Sequence, residues 1–314
     1  MKENTLTVKF WGTRGSHPTP GAQTTQFGGN TACVEVRAGK HTIILDAGTG
    51  IIPLGRDLLK RGVTEAVILF SHLHHDHTQG FPFFAPAYNP KSRLYLFGPG
   101  SSEQALEELL IRNQTPPAFP VSLREMNSTK EIHSLQETDI IVIDDNAIRL
   151  GKNATPTRPD AVIIRIMRSY AHPGGVLVYR IEWCDQAIVY ATDTEGYVGT
   201  DRRLAAFAKN ADLLIHDAQY SEADYRGEAG FGSKQGFGHS TPQMACELAL
   251  AAGVKQLALF HHDPNYDDET VAQIDAQARN SFPAAFAACE GLEVALPAVS
   301  QEPTWEAEAL LLQN

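Results

Sequence analysis

Apolar positions along the chain come mostly in short continuous runs, not in helical stripes. Leu-Thr-Val-Lys-Phe-Trp, Thr-Ile-Ile-Leu, Ala-Val-Ile-Leu-Phe and Ile-Ile-Val-Ile recur between clusters of Gly, Pro, Asn and Asp. Runs of this length, rich in β-branched and aromatic residues, read as strands. They predict strands over 6–11, 32–37, 41–46, 66–70, 93–97, 140–143, 161–167, 176–183, 187–191, 213–216, 256–260 and 292–296. Helical periodicity with start and stop residues predicts helices over 53–61, 103–112, 202–209, 242–251 and 269–280. Many strands with intermittent helices imply a mixed domain in which helices cover sheets. Residues 113–134, rich in Pro, Ser and Asn, read as a long loop or flap. The stretch 297–314 reads as a C-terminal tail, ending on the apolar Ala309-Leu310-Leu311-Leu312.

Composition narrows the class without naming a function. The 314 residues, 43% hydrophobic and 20% charged, suffice for one large domain or two smaller ones and exclude a wholly disordered chain. A net charge of −11 argues against a protein that coats long nucleic acid, which normally presents a basic face. Cys33, Cys184, Cys246 and Cys289 are scattered with no C-x-x-C, as expected of reduced, mostly buried thiols. The opening residues lack a signal-peptide core and no run of about 20 apolar residues occurs, so the expected compartment is the cytoplasm, with no membrane partner.

The chemistry concentrates in Ser71-His72-Leu73-His74-His75-Asp76-His77, which directly follows a buried strand. In an extended chain, residues i and i+2 point the same way, so His72 and His74 aim two imidazoles at one point. Asp76 and His77 come after the strand end, where a turn can aim them at a second point nearby. Imidazole and carboxylate suit zinc, manganese and iron, and two such points suit two ions. His75 lies between candidate ligands and is expected to point away. H-x-H-x-D-H arises by chance in roughly one such chain in a thousand, which makes it a strong motif.

This hexapeptide, in this position, resembles the hallmark of the metallo-β-lactamase superfamily. From about Val8 to Pro264 the chain resembles the ribonuclease Z-like branch of phosphodiesterases. Phe10-Trp11-Gly12-Thr13-Arg14-Gly15-Ser16 and Leu45-Asp46-Ala47-Gly48-Thr49-Gly50 look like that branch's early glycine-rich turns. His172 in Ala-His-Pro-Gly-Gly matches the third histidine, Asp193 in Ala-Thr-Asp-Thr the bridging aspartate, and His261 in Phe-His-His-Asp-Pro the last histidine. The resemblance implies a site for two divalent metal ions, zinc by default with manganese or iron as alternatives. One would take His72, His74 and His172, the other Asp76, His77 and His261, with Asp193 between them. His261 is preferred to His262 because it ends a predicted strand. Asp46 is expected to support a ligand or cap a turn. The fold implied is α+β, a four-layer αβ/βα sandwich of two mixed sheets flanked by helices. It would occupy residues 1–296, with two halves meeting near 140–158, and a homodimer is implied because relatives are often dimers.

Two further pieces resemble the ribonuclease Z branch. His216-Asp217-Ala218-Gln219 stands where that branch has His-Glu-Ala-Thr, with Asp for Glu and Gln for Thr, and Gly238-His239-Ser240-Thr241 resembles its His-Ser-Thr loop. The residues agree with such a reading, since Thr241 is a good helix N-cap and Pro242 a good first helical residue. A helix N-terminus favours an anion, and a histidine just before it can bind phosphate or protonate a leaving oxygen. Asp217 would orient that imidazole and raise its pKa. Asp76 could also take a proton from the attacking water. The glycine-rich 226–236 reads as a flexible loop, or as a lid whose Lys234 or Phe231 meets substrate.

These features point to hydrolysis of a phosphodiester. Ribonuclease Z carries a tRNA-clamping arm between its third histidine and its bridging aspartate. Here only 20 residues separate His172 from Asp193, and they read as a plain hairpin. The expected substrate is therefore a small phosphodiester, such as a cyclic nucleotide or cyclic ribose phosphate, and not long nucleic acid. The alternatives are tRNA 3′-processing, thioester or lactone hydrolysis, and a non-catalytic scaffold on the same fold.

Overall fold

Alternate residues of one strand face different layers, and this sorts the apolar runs into a sandwich. The computed structural model describes residues 5–100, 106–117, 119–145, 147–197, 199–230 and 232–296. The first sheet contains β1 (Leu6–Gly12), β2 (Cys33–Ala38), β3 (His41–Leu45), β4 (Glu65–Leu69), β5 (Arg93–Pro99) and β6 (Thr129–Leu135). The second contains β7 (Ile140–Asp144), β8 (Ala147–Gly151), β9 (Val162–Ser169), β10 (Val176–Trp183), β11 (Gln186–Ala191), β12 (Leu213–Asp217), β13 (Leu257–Phe260) and β14 (Ala285–Ala287). The last strand, β15 (Glu293–Leu296), returns to the first sheet beside β1. The orders are β15-β1-β2-β3-β4-β5-β6 and β14-β13-β12-β11-β10-β9-β7-β8. Each sheet mixes parallel and antiparallel neighbours.

Ile43, Val67, Tyr190 and Ile215 face the layer between the sheets, together with Phe10, Ile164 and Phe260. Their neighbours face outward under helices. Ile44 and Ile68 pack beneath α1 (Ile51–Lys60) and α3 (Leu106–Asn113). Val189 and Leu214 pack beneath α4 (Arg202–Phe207), α6 (Pro242–Ala252) and α7 (Asp268–Ser281). Strands covered on both faces need continuous apolar runs, which is what the sequence shows. Burial of each such side chain contributes about 1.5–3 kcal/mol. The result is the expected four-layer α+β sandwich.

All twelve predicted strands and five predicted helices form, with ends shifted by a few residues; residues 103–105 of the second helix lie outside the described residues. The loop predicted over 113–134 is corrected in its last part, where β6 pairs in parallel with β5. Its alternately exposed Thr129, Glu131 and His133 are those of an edge strand, and their polarity hid it. Two short helices were also unforeseen, α2 (His75–Thr78) and α5 (Glu222–Arg226), as were β8 and β14. The chain passes between sheets at 136–139, just ahead of the expected 140–158. The tail predicted over 297–314 lies outside the described residues. No helix among the described residues is long and apolar enough to cross a membrane.

Candidate metal centre

The loops at one end of both sheets carry the site. The parallel strands β3, β4, β11, β12 and β13 all run toward this end, where ligands in open parallel sheets gather. Asp46 follows β3, His72 and His74 follow β4, Asp193 follows β11, Asp217 ends β12, and His261 follows β13. His172 lies in the turn between β9 and β10, which opens at the same end because β10 is antiparallel to β11. Asp46, Asp193 and His261 have φ of 60°, 51° and 64°. Such left-handed conformations cost about 1–3 kcal/mol in non-glycine residues and persist where the surroundings over-determine them.

The imidazoles converge in two groups. His72, His74 and His172 form one group of ligand atoms, and Asp76, His77 and His261 another, each within 4.8 Å. Asp193 stands between the groups. Its Oδ1 lies 3.3 Å from both His77 Nε2 and His261 Nε2, while its Oδ2 lies 3.6 Å from His72 Nε2 and 3.9 Å from His172 Nε2. His75 is exposed and belongs to neither group. His262 turns away, with Nε2 2.9 Å from the Ala288 carbonyl; burial pulls its pKa down to about 4.

Four of these rings are locked from behind. Asp46 accepts from His77 Nδ1 at 2.8 Å, the Gly238 carbonyl from His172 Nδ1 at 3.1 Å, and Gln219 Oε1 from His261 Nδ1 at 2.9 Å. Ser71 Oγ donates to Asp46, which leaves it to accept from His72 Nδ1 at 3.1 Å. With Nδ1 holding the proton, each Nε2 presents a lone pair, the tautomer that binds metal. The contacts that result are unfavourable without a cation. His77 Nε2 and His261 Nε2 lie 3.2 Å apart, His172 Nε2 and His74 Nδ1 lie 3.1 Å apart, and the buried His72 Nε2 has no hydrogen-bond partner. A tetrahedron of zinc–nitrogen bonds has edges of about 3.3 Å. The donor set therefore fits divalent metal ions.

Electrostatics agree. Burial drives the His72 pKa well down, holding the ring neutral. Burial opposes ionisation of Asp193, but His261, His77 and His72 together hold its carboxyl well below the usual range. His77 is also penalised by burial, yet Asp76, Asp193 and Asp46 outweigh this and raise its pKa, so these carboxylates call for positive charge at His77 Nε2, which a metal cation there would supply in place of a proton.

Beside the histidines stands a second pair. Asp217 Oδ2 accepts from His239 Nδ1 at 2.8 Å, and its two oxygens also accept from the backbone N–H groups of Asp193, Gln219 and Ser240. Burial lowers the His239 pKa, but Asp217 overrides it and raises the value to about 9. His239 lies two residues before the N-cap Thr241, whose side chain accepts from Met244 N–H, and Pro242 opens α6 as predicted. The aspartate that stands here for glutamate is long enough to make this contact.

Several supporting roles escaped the sequence reading. Ser16 N–H donates to Asp76 Oδ2 at 2.8 Å, and a Cβ on Gly15 would stand 2.4 Å from His261 Nδ1. Tyr190 OH donates to Asp46 across the sandwich at 2.8 Å. Glu195 accepts from Tyr225 OH and Gly236 N–H at 2.7 Å and from Gly238 N–H at 2.9 Å. It thereby fixes the loop that holds His172 from behind. A Cβ on Gly238 would lie 2.2 Å from His172 Nδ1, so only glycine fits there. In the glycine-rich loop, Lys234 Nζ lies 5.5 Å over the Phe237 ring, and Phe231 is outside the described residues.

A family model described as the beta-lactamase superfamily domain matches residues 41–262, more than two thirds of the chain. This protein belongs to the metallo-β-lactamase superfamily. Within the superfamily it falls in the ribonuclease Z-like branch. It is 30% identical over 271 residues to Ribonuclease Z of Metallosphaera sedula, covering 80% of this chain and 88% of that protein. It is 28% identical over 327 aligned positions to Ribonuclease Z of Gemmatimonas aurantiaca, covering 93% and 96%. The metallo-beta-lactamase fold protein YhfI from Bacillus subtilis superposes with a TM-score of 0.66 at 17% identity, over 94% of this chain and all of that one, and shows the shared fold. Metallo-β-lactamase membership makes the chain a hydrolase of this fold and implies divalent metal ions, for which the His and Asp clusters supply the donors.

Proposed function

We propose that this protein is a phosphodiesterase that uses two divalent metal ions, zinc by default, and acts on a small phosphodiester. The observation that carries the reading is the Asp217-held His239 standing beside two donor groups that share Asp193. Metal ions in such a pair of sites lower the pKa of water, orient it and stabilise charge on phosphorus oxygens. The groups of this chain supply the rest. His72, His74 and His172 would hold one ion, Asp76, His77 and His261 the other, and Asp193 both. Asp76 would also accept a proton from the attacking water. His239 would donate its Nε2 proton to the leaving oxygen as the phosphorus–oxygen bond breaks, and Asp217 would keep the ring charged and oriented until then. A cyclic diester would give one phosphomonoester that keeps the freed hydroxyl, and an acyclic diester a phosphomonoester and an alcohol.

The connection of β10 to β11 bears on the size of the substrate. They form a tight hairpin closed by Cys184 and Asp185, both with positive φ, the form that suits two-residue turns. This stretch, between His172 and Asp193, is where a tRNA-gripping arm would be inserted. The second reading, tRNA 3′-processing, is favoured by the names of the relatives. Turnover of 2′,3′- and 3′,5′-cyclic nucleotides, a cyclic ribose phosphate, bis(p-nitrophenyl) phosphate, a tRNA precursor, a thioester and a lactone, measured with bound metal, tests both. We expect the small phosphodiesters to be hydrolysed. A tRNA precursor cleaved with far higher kcat/KM would replace the proposal by the second reading. Turnover of the thioester or lactone alone would remove the phosphodiesterase, and metal bound with no turnover would indicate a scaffold.

A further inference from the structure

Among the described residues three of the four strongly exposed aromatic side chains lie on a loop that also carries a site residue, and the fourth, Phe83, ends a short helical turn just beyond His77. The four are Phe83, Tyr170, Tyr197 and Phe237, at 57%, 69%, 51% and 52% exposure. Tyr170 comes two residues before His172, Tyr197 four after Asp193, Phe237 two before His239, and Phe83 six after His77. Single exposed apolar residues need no explanation. A pair that lines one cleft beside the site does.

Two of the four already have partners. Phe83 meets Phe119 edge-on at 5.4 Å, and Phe237 lies under the Lys234 ammonium. Tyr170 and Tyr197 instead line a cleft of about 740 Å³ that opens beside His172. The volume is that of a small-molecule site. The Tyr170 ring rests against Gly175, where a Cβ would stand 3.3 Å from it, so its position is supported from below. Among the described residues no lysine or arginine lines the cleft, and the one carboxylate that does, Glu195, is engaged by Tyr225 and two backbone N–H groups. The cleft is therefore built for a flat, uncharged body. A phosphate would belong instead with the donor groups and His239.

We infer that this cleft is a nucleobase subsite, stacking the base of a nucleotide phosphodiester on Tyr170 and Tyr197. The inference rests on the phosphodiesterase reading for the identity of the reacting group, and it selects a base-bearing substrate over a base-free sugar phosphate. Stacking on aromatic side chains tolerates any base, because every base has a π-face.

Calorimetric titration of the metal-loaded protein with AMP and with ribose 5-phosphate separates the base from the phosphate. AMP is expected to bind at least about tenfold more tightly. Tyr170→Ala and Tyr197→Ala should each weaken AMP binding about tenfold and leave ribose 5-phosphate unchanged, which also shows that the variants are folded. Tyr170→Phe and Tyr197→Phe should retain the preference. Equal affinity for the two ligands, absence of binding by both, equal loss of both in the alanine variants, or tyrosine-dependent binding of a tRNA precursor alone would each overturn the subsite. A base preference that persists in a protein hydrolysing no phosphodiester would support the subsite while removing the reaction proposed above.

Discussion

The two halves of the sandwich each hold a histidine against an aspartate with the same geometry. Asp46 follows β3 and takes His77 Nδ1 at 2.8 Å; Asp217 ends β12 and takes His239 Nδ1 at 2.8 Å. Each carboxylate accepts four hydrogen bonds. Asp46 takes those of Ser71 N–H, Ser71 Oγ, His77 and Tyr190, and Asp217 those of Asp193, Gln219, Ser240 and His239. The surroundings of the ring differ. His77 is fully buried, with Nε2 facing His261, Asp76 and Asp193. His239 keeps 8% exposure and stands before the N-terminus of α6. On the proposed reading the same dyad supplies a lone pair at His77, wholly enclosed among ligands, and a proton at His239, which stands at the rim of the site beside His172 and Asp193. Role would then follow from the surroundings of the ring, not from the pair itself.

The sharpest way to break this contrast is to remove each ring. His77→Ala should lose bound metal and bring turnover to background. His239→Ala should keep its metal while turnover falls about 10²–10⁴-fold, the usual worth of a general acid. Metal analysis beside kcat for both variants decides the matter. Metal loss from His239→Ala would make that residue a ligand and erase the distinction.

A smaller effect comes from the aspartates. Asp46→Asn should lower metal affinity about 10–100-fold, as loss of a ligand's hydrogen-bond partner does, without moving the pH profile. Asp217→Asn should do the reverse. Asp217 is the main group that lifts the His239 pKa to about 9 against burial, with smaller help from Asp193 and Asp76. A general acid works while protonated, so kcat/KM of the native protein should fall as pH rises through about 9. Without the carboxylate the fall moves down toward 6.5 or lower, a loss of about thirtyfold at pH 8 that largely recovers near pH 6. An alkaline limb that stays in place in Asp217→Asn would show that His239 is not the titrating acid.

How readily each dyad could be seen in the sequence follows from where its parts lie. His72, His74, Asp76 and His77 were legible because one strand end and one helical turn hold them, and alternation along an extended chain places the first two on one side. His172, Asp193, His239 and His261 became candidates only through resemblance, since they are joined by strand pairings tens of residues apart. The buried strands were legible because both faces are covered and their apolar runs are unbroken. β6 was not, because an edge strand exposes one face and carries Thr, Glu and His there. α2 was hidden by its composition, one turn of His-Asp-His-Thr with no apolar stripe. Glu195 gave no local signal because its partners, Tyr225, Gly236 and Gly238, are 30 to 43 residues away.

Glu195 offers the smallest and most discriminating test, because it separates the mountings of the two dyads. His77 is carried on α2, directly behind the strand-end loop, whereas His239 sits on a loop held by one carboxylate. Glu195→Gln keeps the size of the side chain but has a single acceptor oxygen. If that oxygen remains with Gly236 and Tyr225, an amide NH₂ is turned toward Gly238 N–H, and two donors face each other. Loss of one net hydrogen bond is worth about 0.5–1.5 kcal/mol, so kcat should fall roughly two- to twelvefold. Amide exchange over residues 236–240 should quicken, while metal content and the pH profile stay as they were. Faster exchange with unchanged kcat would mean that His239 works without a fixed loop. Loss of metal would instead trace the effect through the Gly238 carbonyl to His172, and would place the Glu195 clamp in the service of the metal ligands and not of the acid.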